Sequence, residues 1–159
     1  MRCPIAAALA LAAASSLPDL AGAQASAPAI ADMSYATPLA GTWSWSQTAG
    51  GSEVSFADAS ARTQLTIRCS RLSRFVTISR PASAAAPSLG IWTSTQTRSL
   101  PAKFDPAAAR LGADLAASDP LLDAIAFSRG RFAVAIAGQP PLVAPAWADV
   151  ARIVEDCRV

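Results

Sequence analysis

Cys69 and Cys157 constrain the fold more than any other two residues of this 159-residue chain. Cys69 ends the run Gln64-Leu65-Thr66-Ile67-Arg68-Cys69, in which Leu65, Ile67 and Cys69 share one face of an extended strand. Cys157 ends a segment in which Trp147, Val150, Ala151, Val154 and Cys157 recur at spacings of three and four, so they lie along one stripe of a helix. Each sulfur is therefore expected to point into a core, one from a strand and one from a helix. A bridge between them closes a loop of nearly ninety residues, and chain entropy alone makes that stabilising by about 4 to 5 kcal/mol.

Such a bridge needs an oxidising compartment, and the first residues supply the route. Met1 to Ala25 reads as a cleavable export signal: Arg2 gives a positive start, and Ile5 to Leu17 gives a short uncharged apolar run. Ala21-Gly22-Ala23 and Ala23-Gln24-Ala25 then offer two small-residue cleavage sites. The apolar run is short for a membrane span, so no transmembrane anchoring is expected. Cys3 leaves with the signal, and the even pair that remains reads as one disulfide in a periplasmic or secreted protein. The mature chain, about 134 residues, is the size of one domain. Residues 26–40, small, polar and punctuated by Pro28 and Pro38, read as a disordered leader or a loosely held one, and residues 41–159 as a single β-rich domain.

Period-two alternation dominates from Gly41 onward. Trp43 and Trp45 share a face, a Gly50-Gly51 turn follows, and Val54 and Phe56 alternate again, which predicts a hairpin. Gln64–Cys69 and Arg74–Arg80 form the next pair, stopped by Pro81; Leu89–Thr95, Arg131–Ala137 and Leu142-Val143 complete the strands. Lys103 to Ser118, alanine-rich and interrupted by Gly112, reads mostly as loop. Asp119 is an N-cap with Pro120 behind it, opening a short helix over Leu121, Leu122 and Ile125. The expected architecture is mainly β: a small antiparallel β-sandwich or half-barrel, with a short helix and a C-terminal helix pinned by one disulfide. The alanine excess inflates the apolar fraction of 52%, so the core must rest on the few large side chains.

The residue inventory narrows the chemistry. The chain contains no histidine, which removes the usual general base, the usual zinc ligand and the imidazole of a nucleophilic triad. There is no phosphate-binding loop and no dinucleotide fingerprint, so no cofactor and no metal site are expected. The net charge of +2 is too small to point to nucleic acid. Asp119 and Asp123 share a helix face as a pair of catalytic acids would, but an N-cap and a first-turn acid are the better reading, and no catalytic residue is assigned. Arg62, Arg68, Arg71, Arg74 and Arg80 cluster around one predicted hairpin. They form either an anion-binding patch or a solvated strand face that discourages edge pairing, and the pattern favours the second. Trp92, out of register with Leu89 and Ile91, is the aromatic best placed for ligand stacking, although a core position is the commoner fate of such a residue. Ser128-Arg129-Gly130-Arg131-Phe132 reads as a helix-to-strand turn with two arginines.

The C-terminal third carries a resemblance. Asp119-Pro120-Leu121-Leu122-Asp123, Ser128-Arg129-Gly130-Arg131-Phe132, Pro141-Leu142, Pro145-Ala146-Trp147 and Asp156-Cys157-Arg158 resemble a group of small exported proteins of Gram-negative bacteria. More loosely, a late strand followed by a helix ending in a disulfide cysteine is similar to the invasion-associated locus B-like and type VI secretion accessory (VasI-like) envelope proteins. The resemblance covers about forty residues and implies a periplasmic β-rich domain without catalysis. It transfers no functional residue. The expected function is a non-catalytic periplasmic or secreted binding or accessory domain of the cell envelope, with an envelope protein or an anionic envelope polymer as partner. The alternatives are a small inhibitor that inserts the Pro81–Ser88 loop into a hydrolase and, more remotely, a histidine-free carboxylate hydrolase.

Overall fold

Alternating apolar residues from Gly41 onward build two antiparallel sheets, because each strand has one face to bury. The computed structural model describes residues 30–159; the expected export signal over 1–25, and residues 26–29, lie outside that range. Ten strands and two helices follow in the order β1 (Gly41–Thr48), β2 (Gly51–Asp58), β3 (Thr63–Ser70), β4 (Phe75–Pro81), β5 (Ser88–Trp92), β6 (Thr97–Pro101), β7 (Lys103–Asp105), β8 (Arg110–Ala116), α1 (Pro120–Ala126), β9 (Phe132–Ile136), β10 (Leu142–Ala144) and α2 (Ala148–Arg158). The first sheet has the order β1-β2-β3-β4-β8-β7 and the second β10-β9-β5-β6, and the two form an open sandwich rather than a closed barrel.

The core lies between the inner faces. Val54, Phe56, Leu65, Ile67, Val76, Ile78 and Leu111 come from the first sheet, and Leu89, Ile91, Phe132 and Val134 from the second. Trp43 joins the two layers: its ring lies 5.1 Å from that of Phe56 and 6.3 Å from that of Phe132. Its indole N–H donates to the carbonyl of Pro145 at 2.9 Å, so the buried ring leaves no polar atom unpaired. β5 and β6 lie over β8, while α2 covers β1, β2 and β3 and packs on α1.

Cys69 and Cys157 form the expected disulfide, with their Cα atoms 5.4 Å apart. The stripe that α2 buries is Val150, Ile153, Val154 and Cys157. Trp147 is not part of it: it precedes the first turn and is 47% exposed. Phe127 is exposed as well, because α1 ends at Ala126.

Two expectations are corrected. Residues 103–118 are not mostly loop, since they form β7 and β8, and β8 pairs along its whole length with β4. Leu111, Ala113 and Leu115 point inward, but the two intervening outward positions are Gly112 and Asp114, poor strand formers that hide the alternation. The carboxylate of Asp105 accepts from the backbone of Ala107 at 2.9 Å and Ala108 at 3.2 Å, an Asx turn that joins the two strands. The second correction concerns the leader. Residues 30–39 are a docked strap: Ile30, Met33 and Ala36 pack on Trp92, Ala133 and Val143, on the outer face of the second sheet. The backbone N–H of Leu39 donates to Val143 at 2.8 Å, and Arg131 Nη1 donates to the carbonyl of Ala36 at 2.5 Å. Gly90 leaves the space that Ile30 fills: a Cβ there would sit 2.3 Å from Ile30 Cδ1, and that side chain would have to shift.

Candidate functional site

The five hairpin arginines do not assemble into a patch. Arg62 sits in the turn before β3 and pairs with Asp58 at 3.1 Å. Arg71 and Arg74 lie in the turn after β3, on the far side of an eight-residue strand, roughly 26 Å away at the usual rise. Arg74 donates to the carbonyl of Arg158 at 2.7 Å. Arg68 faces outward and pairs with Glu53 at 3.2 Å. Arg80 takes the opposite face of β4 and is 8% exposed, because its alternation phase matches Val76 and Ile78. Trp92 is 7% exposed beneath the strap and offers no stacking surface.

Asp119 and Asp123 are held apart by separate arginines. Arg98 grips Asp119 through two hydrogen bonds of 3.0 and 2.6 Å, and Asp119 also accepts from the Leu121 backbone at 2.8 Å. Arg158 grips Asp123 at 2.8 and 3.0 Å. These guanidinium hydrogen bonds hold both carboxyls below the usual carboxylate range. A general acid needs the opposite shift. The Ser128–Phe132 turn is equally committed: Ser128 accepts from the Ser94 backbone at 2.9 Å and donates to the carbonyl of Arg131, while Arg131 ties down the strap.

What the structure does assemble is a groove on the outer face of the first sheet, of about 530 Å³. Antiparallel register aligns outward residues into rows across the strands. Ser55, Thr66, Ser79 and Gly112 form one row; Glu53, Arg68, Thr77 and Asp114 form the next. Across the first row lies Arg110. Its Nε donates to Ser79 Oγ at 3.1 Å, and its Nη2 donates to Thr66 Oγ1 at 3.0 Å and to the carbonyl of Ser79 at 2.7 Å. All of these acceptors are neutral, and no carboxylate lies within ion-pair distance of Arg110 among the described residues. Burial draws its pKa down from the ordinary arginine value, and Glu53 opposes that shift. Of the other charges, Arg68 pairs with Glu53 and Lys103 with Asp114 at 3.9 Å, while Asp105 lies opposite Arg110 in the β7–β8 register without an ion pair among the described residues.

Gly112 keeps the floor low, since a Cβ there would rise 3.2 Å from Ser79 Cβ. The groove is thus a sheet of hydroxyls crossed by one half-buried guanidinium that bonds only neutral oxygens, with Glu53, Asp105 and Asp114 balancing Arg68, Lys103 and Arg110 along its walls, suited to holding a hydroxylated ligand. Reading residues 103–118 as loop left Arg110, Gly112 and Asp114 without a place on any face. The available signal was the pair Leu111 and Leu115 in phase with Ala113. Among the described residues no cluster of three metal-ligating side chains occurs, and no helix is long and apolar enough to cross a membrane. Comparison with family models, with curated proteins and with solved structures finds no match to this chain.

Proposed function

We propose that this protein is a non-catalytic binding domain of the periplasm or cell exterior, and that its outer groove holds an acidic polysaccharide of the cell envelope. The observation that carries the reading is Arg110, half-buried among hydroxyls with neutral partners only. A sugar ring carrying a carboxylate or phosphate gives Arg110 the direct ion pair it lacks, while its hydroxyls exchange hydrogen bonds with Ser55, Thr66, Thr77 and Ser79. The disulfide fits an oxidising compartment, and the resemblance of the C-terminal third to exported envelope proteins agrees with it.

Isothermal titration with alginate as an acidic polymer and dextran as a neutral one tests the proposal. Alginate is expected to bind and dextran not to. Arg110→Met should weaken alginate at least ten-fold, the usual size of losing a charge-assisted contact. Equal binding of the two polymers, or of wild type and Arg110→Met, overturns the reading.

A further inference from the structure

Arg80 occupies a second, separate environment. It follows Ser79, which faces the groove, and so lies on the other side of the same strand, at the rim of the core. Its Nη1 donates to the carbonyls of Val134 at 2.7 Å and Pro140 at 3.3 Å, which uses both hydrogens of that nitrogen. The opposite edge of the guanidinium is uncommitted. Nε–H is buried with no acceptor, and Nη2 has no hydrogen bond among the described residues. No carboxylate lies within ion-pair distance of Arg80 among those residues either.

A buried cation that keeps its charge without an anion is costly, and such groups are ordinarily paired. Burial lowers the Arg80 pKa from its ordinary value, but a guanidinium stays protonated at neutral pH, so the imbalance is not relieved by proton loss. Arg80 also lines a cleft of about 330 Å³ whose other walls include Thr37 and Leu39 of the strap, Pro140 and Pro141 of the β9–β10 turn, and Val143. That volume lies at the small end of ligand pockets, and the walls are apolar apart from Thr37. The adjoining prolines make the turn stiff.

We infer that this cleft is a carboxylate site, taking an acid with a short apolar body whose oxygens meet the Nη2–Nε edge of Arg80. One oxygen sits on Nη2, and the other gives Nε the acceptor it lacks, the two-point fork that distinguishes carboxylates from neutral ligands. The apolar body lies against Leu39, Pro141 and Val143. The site is independent of Arg110, which lies on the outer face, so either can fail without the other.

The test is an NMR titration of the amide resonances with hexanoate, hexanamide, and the dipeptide Leu-Leu with a free or an amidated C-terminus. Hexanoate is expected to shift residues 37–39 and 142–144 saturably, with hexanamide at least ten-fold weaker. Arg80→Met, which keeps the length of the side chain, should abolish the preference for the acid. If the free dipeptide binds more tightly than hexanoate and the amidated form does not bind, the carboxylate comes from a peptide terminus. If hexanoate binds more tightly, it comes from a free acid. Acid and amide acting alike in the wild type overturns the inference, and that comparison needs no variant to fold. A preference that survives in Arg80→Met, or no carboxylate-dependent shift at the cleft with either ligand, overturns it too.

Discussion

Single side chains settle how the helices meet the sheets. One carboxylate oxygen of Asp156 in α2 accepts from Trp45 Nε1 at 2.9 Å and from Ser52 Oγ at 2.8 Å, and Arg152 lies 3.7 Å over the Trp45 ring. Asp156→Ala leaves two donors beneath α2 without an acceptor, and should lower stability in urea unfolding by about 2 kcal/mol. Asp156→Asn keeps one oxygen able to serve both donors and should lose clearly less. Asp119 gives a pH dependence. Its hydrogen bonds with Arg98 depress its folded-state pKa, so it contributes stability that is present above the unfolded carboxylate value, about 3.9. That stability is lost as pH falls through the lower folded value. Wild type should therefore lose more stability than Asp119→Asn between pH 5 and pH 2, followed by thermal unfolding across that range. Asp123 acts in the same direction but is more exposed, so its part is smaller.

Among the elements, α2 depends most on a contact distant in sequence. Eleven residues are too few to form a stable isolated helix in water, so its persistence comes from Val150, Ile153 and Val154 on the sheet and from the bridge to β3. Replacing both cysteines with alanine should cost about 3 to 5 kcal/mol, read as a lower urea midpoint. Far-UV circular dichroism should show α2 fraying before the strands, because β1 to β4 keep their ladders. The β1–β2 hairpin is set more locally. Register across Thr48 and Gly51 leaves Ala49 and Gly50 as the two-residue turn, one position before the Gly50-Gly51 pair that signals it, because Gly51 already pairs as the first residue of β2. β8 lies at the other extreme: Gly112 and Asp114 have little strand preference, and the exposed edge of β4 decides their conformation.

At the scale of the whole molecule, the strap covers what is otherwise an apolar sheet face. A chain beginning at Gly41 should expose Trp92, shift its fluorescence to the red and lose about 2 kcal/mol, the size of uncovering one large side chain. Comparing each chain with its Trp92→Phe variant isolates that signal from Trp43, Trp45 and Trp147. The inward pair Cys69 and Cys157, the strands β1 to β5 and β9, and the capped start of α1 at Asp119 are legible from the residues alone, because each is a pattern within a few neighbours, whereas β6 to β8 are not. That residues 30–39 lie on the second sheet, that β8 joins the first beside β4, and that Arg80 and Arg110 face opposite sides emerges only once the chain is folded. Those outcomes depend on strand register and on partners tens of residues away, where a small polar segment or a glycine takes the conformation its neighbour imposes.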